Sequence, residues 1–422
     1  MKVLHVSTHD HRGGASVGMH RLHLALHEAG VDSHLAIVEK SGNIVNSHLV
    51  GSKVARRVIR PLRIRLEQKL VSAFFSFPPH RAYSTFSFLP SFAYKSLNAF
   101  PKDILQVHWV GEGFLPPWAI GRLQGPVIWT LRDTWPFTGG CHFSSTGCMR
   151  YRERCGKCPE LCSSFEWDVS RWHWLQKYKA VRRIRPVAVA LSKEFVEKAS
   201  RSSILRNCRI EHIPNCIDTD VFKPIPQMQA RNILGLPHDK KIVLFGALGA
   251  TSDYNKGFDL LQKALGHLSD DAHGNLFALV FGASQSDESL PYPTRFLGHL
   301  RDAIALNLAY SAADVFICPS RYESFSNTVL ESLACGTPVA AFSVGGIPDM
   351  LEDRINGCLA PAEDAKALAC GIAYILEDGE RREPMREAAR RVVEERYAAP
   401  IIAARYMELY TELLSRPERD AL

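Results

Sequence analysis

The chain has 422 residues, 46% hydrophobic and 23% charged, with a formal net charge of +7 and eleven cysteines. That length exceeds one ordinary core and predicts two domains of about 200 residues each, while the composition excludes a disordered or collagenous chain. No apolar run is long enough to span a bilayer, and MKVLHVSTHD reads as a strand, not a signal peptide. A cytoplasmic protein is expected, in which the cysteines form no disulfide framework.

Residues 2–7 form the first hydrophobic strand. It runs into the loop 8–15, where Gly13-Gly14 precede a helix starting near Ser16. A glycine pair in such a turn lets backbone approach a ligand closely. A GxGxxG fingerprint is absent, and Glu39 fits poorly as a ribose-binding acid. Met19, Leu22, Leu26 and Ala29 give the helix its apolar face, Gly30 ends it, and residues 34–38 form a second strand.

Residues 53–75 interleave seven Lys or Arg with Val, Ile and Leu. Val54, Val58, Leu62 and Leu66 step by four; Arg57, Arg60 and Arg63 take another face, and Pro61 predicts a kink. Two readings stand: a helix lying on an anionic membrane surface, or a helix packed on its own core with a solvated basic face. No nucleic-acid reader motif or stacking platform accompanies it. Residues 76–92, aromatic and broken by proline, read as an ordered loop near the cleft between the domains.

A strand over 103–109 carries His108 at its end, and another over 127–131 is followed by Arg132 and Asp133. Strand ends in an α/β domain meet ligands, so these three are site candidates. Cys141, Cys148, Cys155, Cys158 and Cys162 follow, with His142 beside the first. Cys155-Gly-Lys-Cys158 has the spacing of a zinc knuckle, and Cys141 and Cys148 complete a four-thiolate structural site. Free thiols or a redox pair are the alternatives. Tryptophan-rich turns at 167–174 continue this insertion, and 187–191 is the last strand of the domain. The Pro-bounded stretch 210–224 reads as an interdomain connection.

The second domain restarts with a strand at 241–245. A small-residue loop from Gly246 then delivers Lys256, just before Gly257 and a helix. A cation at that mouth suits a diphosphate. Strands at 276–282 and 295–298 follow. Residues 314–320 then form a strand, 327–334 a helix closed by Gly336 and Pro338, and 339–344 a further strand. The loop 321–326 lies outside the carboxyl end of its strand and carries Glu323; Glu331 sits one turn into the helix. The first amides of that helix, at Phe325, Ser326, Asn327 and Thr328, lack internal partners and suit a phosphate. Carboxylates accept from hydroxyls, so the pattern points to a sugar nucleotide. Helices are predicted over 365–376, 380–396 and 397–414.

The string from Pro319-Ser320 through Glu323, Ser324 to Asn327, Glu331 and Ala334 to Val339, ending at Gly345-Gly346, resembles the donor-site signature of retaining GT-B glycosyltransferases. The resemblance is to the group 1/family 4 type, similar to bacterial colanic acid, exopolysaccharide and lipopolysaccharide enzymes. It implies an α/β chain of two doubly wound Rossmann-like domains facing across a cleft. Residues 1–209 would bind acceptor and carry the cysteine-rich insertion 139–165. Residues 210–224 would be the linker, 225–396 the nucleotide-sugar domain, and 397–422 a helix crossing back to the first domain. The implied reaction moves a sugar, with retention, from a UDP- or GDP-sugar to a saccharide or lipid-linked acceptor, without a catalytic metal.

Carried over position by position, Lys256, Gly246 and the amides to Thr328 hold the diphosphate. Glu323 binds sugar hydroxyls, Glu331 the ribose, and main chain near Gly298 the base. Gly13, Gly14, His108, Arg132 and Asp133 line the opposite wall. Relatives carry His-Asp where Arg132-Asp133 stand here; a guanidinium cannot act as a base, so Arg132 is expected to act electrostatically, held by Asp133. Relatives also place an Arg where Ala247 stands, which leaves Lys256, with Arg301 or Arg321, to meet the leaving-group charge. An epimerase-type enzyme or a non-catalytic nucleotide-sugar-binding homologue are the competing readings.

Overall fold

Short runs of β-branched, leucine and aromatic residues, buried on both faces, form two fully parallel sheets. A computed structural model describes residues 1–75, 85–143, 147–268, 275–285, 290–300, 302–377 and 379–415. The chain divides into two compact units, Met1–Pro214 with Ala403–Leu422, and Asn215–Ile402.

The first unit contains β1 (Lys2–His9), β2 (Asp32–Glu39), β3 (Ser47–Leu49), β4 (Ile104–Val107), β5 (Val127–Leu131), β6 (Val187–Ala190) and β7 (Ile210–His212), in the order β3-β2-β1-β4-β5-β6-β7. The second contains β8 (Lys241–Gly246), β9 (Leu276–Phe281), β10 (Thr294–Phe296), β11 (Val315–Cys318), β12 (Val339–Phe342) and β13 (Gly357–Ala360), in the order β10-β9-β8-β11-β12-β13. Every neighbouring pair is parallel. Both sheets therefore have the doubly wound order, in which the chain reverses direction across the sheet beside its first strand. Ligands bind at such a reversal, outside the carboxyl ends of β1 and β4 in one unit and of β8 and β11 in the other.

The cores are sealed. Leu4, Leu105, Ile128 and Trp129 have no exposure in the first unit; nor do Leu244, Val280, Ile317 and Phe342 in the second. Helix Ala399–Ser415 starts in the second unit, and its body belongs to the first. There Tyr410 donates to the buried Gln106 of β4, and Arg209 pairs with Glu412 at 2.6 Å.

Several elements differ from expectation. Ile210–His212, read as the start of a linker, is the edge strand β7, paired to β6 through Ala188, Val189 and Ala190. The tryptophan-rich turns are instead the start of helix Val169–Ile184, which Asp168 caps by accepting from Arg171 N at 3.1 Å. Pro61, read as a kink, falls where a π-helical turn, Ala55–Ile59, gives way to the regular helix Arg60–Phe74, so the hydrogen-bond ladder changes register beside it. The helix after β1 begins at Gly14, with Gly13 as its cap at φ +85°. The loop read over 76–92 lies partly outside the described residues.

Candidate functional site

In the second unit, the loops leaving β8 and β11 meet. After β8 a single 3-10 turn, Tyr254–Lys256, is set by Asp253, whose carboxylate accepts from Asn255 N at 3.0 Å. Asn255 joins the two loops: its side chain donates to Tyr322 O at 2.9 Å, and its carbonyl accepts from Arg321 N at 2.9 Å. Gly257 follows at φ +69°, and a Cβ there would stand 2.0 Å from Pro319 O. Only glycine lets the turn sit this close to the end of β11.

The result is an ion pair, Lys256 Nζ to Glu323 Oε1 at 2.8 Å, with Ser320 Oγ donating to the same oxygen at 3.1 Å. Glu323 Oε2 makes no hydrogen bond among the described residues. Burial alone lowers the pKa of Lys256, but the adjoining Glu323 carboxylate outweighs it and raises the ammonium above its ordinary value. Lys256 is therefore a fixed cation with N–H groups to spare. Lys256, Glu323, Thr328, Gly246 and Ala247 line one small cavity. Gly246 has a packing role there, since a Cβ would lie 2.3 Å from the Phe281 ring. Gly345, at φ +57°, would put a Cβ 1.5 Å from Glu323 O, so the Gly345-Gly346 loop clasps the backbone that carries the carboxylate.

Helix Asn327–Ala334 begins at Ser326 with no side-chain cap. Its first-turn amides open beside Thr328, on the cavity wall. Phe325 is buried against Tyr397, and the Asn327 side chain accepts from Asn215 Nδ2 at 2.9 Å. Glu331 is buried and accepts from Tyr310 OH at 2.9 Å; it is not among the residues lining the cavity. Gly298, at φ +69°, accepts from Gly282 N at 2.7 Å, beside the end of β9.

Arg321 is engaged on the far side of the Lys256 turn. It grips Asp259 with both terminal nitrogens at 2.9 and 2.7 Å, reaches Glu363 at 3.2 Å, and lies 3.8 Å over the Tyr254 ring. Its charge is already matched, and it braces the Lys256 turn. Arg301 lies outside the described residues. Sequence reasoning missed Asn255 and Asp259 and gave Ser320 no role of its own; the Asp253-x-Asn255 turn pattern was the one available signal for the first.

In the first unit, His108 at the end of β4 stands between Arg132 and His5. Arg132 Nε and Nη2 lie 3.4 and 3.2 Å from His108 Nδ1, and His108 Nε2 lies 2.9 Å from His5 Nδ1. Arginine only donates, so His108 Nδ1 accepts, its proton sits on Nε2, and that proton is donated to His5. Burial, then the Arg132 charge, holds His108 well below the ordinary histidine pKa, so it is neutral at pH 7. His5 was not singled out in the sequence because it reads as one more residue of a buried strand.

Asp133 takes a different partner from the one expected. Its Oδ2 is 2.5 Å from His142 Nδ1, and its Oδ1 accepts from Trp135 N at 2.8 Å. Arg132 is held by His108 instead. Gly13 and Gly14 open the first helix of this unit, and a Cβ at Gly13 would meet nothing within 4 Å.

The cysteine cluster is drawn together. The thiols of Cys141 and Cys158 share a hydrogen bond, which raises the pKa of Cys141 and lowers that of Cys158. Burial pushes Cys155 up to about 12 and raises Cys148, and each feels the charge of Cys158. Among the described residues, the only three candidate metal-ligand atoms within 4.8 Å of one another belong to His9, Glu39 and Glu112, not to cysteines. Arg60 already occupies that acidic group.

Comparison with known proteins agrees with this geometry. Residues 12–221 match the family "Glycosyltransferase Family 4", and residues 227–392 match "Glycosyl transferases group 1". A D-inositol 3-phosphate glycosyltransferase from Thermobispora bispora is 32% identical over 220 residues, covering 48% of this chain and 50% of that protein. The chain spans about half the length of the first such curated relatives. Sucrose-phosphate synthase from Thermosynechococcus elongatus superposes with a TM-score of 0.68 at 20% identity, covering 98% of this chain and 100% of the other. Anabaena HepE, in complex with UDP-glucose, superposes with a TM-score of 0.64 at 15% identity over 98% of this chain and all of its own. Doubly wound sheets and two matched sequence families that together span most of the chain lead to one conclusion: the chain belongs to the glycosyltransferase family 4/group 1 kind, with the GT-B fold.

Proposed function

We propose that the chain moves a sugar from a nucleoside-diphosphate sugar to a hydroxyl of a saccharide or lipid-linked saccharide, with retention at the anomeric carbon, in cell-surface polysaccharide assembly. The Lys256–Glu323 pair in front of an uncapped helix carries this reading. A diphosphate leaving group gathers negative charge as its bond to the sugar breaks, and fixed donors aimed at that charge lower the barrier most. The spare N–H groups of Lys256 and the amides up to Thr328 meet the diphosphate. Glu323 Oε2 accepts from a sugar hydroxyl.

In the step itself, the C1–oxygen bond to the diphosphate breaks and its electron pair stays with the phosphate. The acceptor oxygen bonds to C1 on the same face and passes its proton to a phosphate oxygen. This chemistry needs no metal. HepE, whose solved complex holds UDP-glucose, supports a nucleotide-sugar donor. Tyr310 OH donates to Glu331 Oε2 and fixes the buried carboxylate, which keeps further acceptor sites for a ribose hydroxyl.

Hydrolysis of UDP-, GDP- and ADP-sugars tests the reading, with NMR of the first-formed anomer. One nucleotide class should be turned over with retention, and Glu323→Gln should lose about 10²-fold in rate. No turnover of any donor would overturn it.

A structural zinc at Cys141, Cys148, Cys155 and Cys158 is proposed alongside; the metal would draw the four sulfurs into one shell. Metal analysis of protein purified without chelator should find about one zinc per chain. A metal-free protein whose melting is unchanged by added zinc would refute the site.

A further inference from the structure

Helix Arg60–Phe74, with the π-turn Ala55–Ile59 before it, is built inside out. A surface helix of a globular protein turns its apolar stripe inward. Here the inward positions are charged. Arg60 is buried and reaches Glu39, Glu112 at 3.0 Å and the Glu112 carbonyl at 2.8 Å. Arg63 donates to Gly113 O. Glu67 is buried and accepts from Phe88 N and Leu89 N at 2.8 and 2.7 Å. Val71 completes that face.

The apolar residues point the other way. Val54, Val58, Leu62, Leu66, Leu70 and Phe74 step by four along the outer side, and all are exposed, Leu62 by 65% and Phe74 by 78%. From residue 54 to 74 this stripe runs about 30 Å at 1.5 Å per residue. Solvent-facing charges on the same segment are Lys53, Arg57, Arg65 and Lys69, and its one carboxylate, Glu67, is turned inward. A long exposed leucine stripe is not left to water without a use. Its fringe carries cations and no anions, so the complementary partner is apolar in depth and anionic at its surface.

We infer that this helix docks the protein flat on an anionic lipid bilayer, its leucine stripe entering the headgroup boundary and its lysines and arginines meeting lipid phosphates. The buried Arg60 and Glu67 bonds fix the helix to the body of the unit, so the whole catalytic chain is held at the surface. No helix among the described residues is long and apolar enough to cross a membrane, which leaves lying on the surface as the mode of contact.

The test is flotation of the full chain with vesicles of phosphatidylcholine alone, or with about 30 mol% phosphatidylglycerol. The protein should float with the anionic vesicles and stay below with the neutral ones, and raised salt should weaken binding. Leu62→Glu with Leu66→Glu should cut the bound fraction about tenfold or more, and Arg65→Gln with Lys69→Gln should cut it on anionic vesicles. Neither pair should change the melting temperature or the hydrolysis of free donor, because those side chains face outward. Equal flotation of the glutamate variant, or no flotation with any vesicle, would overturn the inference. So would a dimer in solution that the leucine changes dissociate, since a second copy would then be the occupant of the stripe.

Discussion

A lysine and a glutamate 67 positions apart form the hinge of the account, and each alone reads as an ordinary surface charge. Lys256 was legible as a candidate because a lysine directly before a glycine stands at a strand exit, and the structure puts it on the cavity wall there. Its pairing with Glu323 was not, because sequence separation hides which loops converge. The same holds in the first unit, where Arg132 and His108 were both seen but their contact, and His5 behind it, were not. Arg132 predicts a pH signature. A guanidinium does not titrate in the working range, so kcat/KM should show no acidic limb from this position. Arg132→His should lower kcat and add a limb between about pH 5 and 7, read from a pH–rate profile. An unchanged profile in that variant would remove Arg132 from the site.

At the scale of elements, most strands were legible as short buried runs, the edge strands β3, β7 and β13 being missed, and helix Asn327–Ala334 as a run closed by glycine and proline. Helix Val169–Ile184 was obscured because tryptophan, arginine and lysine dominate it, leaving only the Asp168 cap as a signal. The helix over 60–74 gave the right period and left its orientation open; periodicity separates two faces without saying which one turns inward. The glycine loops were noticed, yet their reason lies in distances. Gly345→Ala would force a Cβ onto the Glu323 carbonyl from a left-handed backbone. It should cost roughly 2–4 kcal/mol and abolish transfer, measured by thermal melting beside activity. A variant with native melting and native rate would show that the clasp is slack.

At the scale of the whole molecule, a set of buried histidines is held neutral, and this sets the acid side of its pH range. Burial lowers His20 and His23 to about 4 and holds His5, His108 and His173 well below the ordinary value. Unfolded histidines bind protons near pH 6.5, so the unfolded state gains protons first as pH falls. Stability is complete above pH 6.5 and is lost toward pH 4, by up to about 1.4 kcal/mol per pH unit per histidine. Burial also lowers Lys177 to about 7, so stability should rise between pH 7 and 9, and Lys177→Met should flatten that rise. Urea melts from pH 5 to 9 check both slopes. The central claim is that Lys256 and its neighbours hold an activated sugar by its diphosphate, and titration calorimetry tests it most directly. One of UDP-, GDP- or ADP-sugar should bind the native chain, and Lys256→Ala should bind it at least about tenfold more weakly. Equal affinity in the two proteins, or no binding of any of the three, would contradict it.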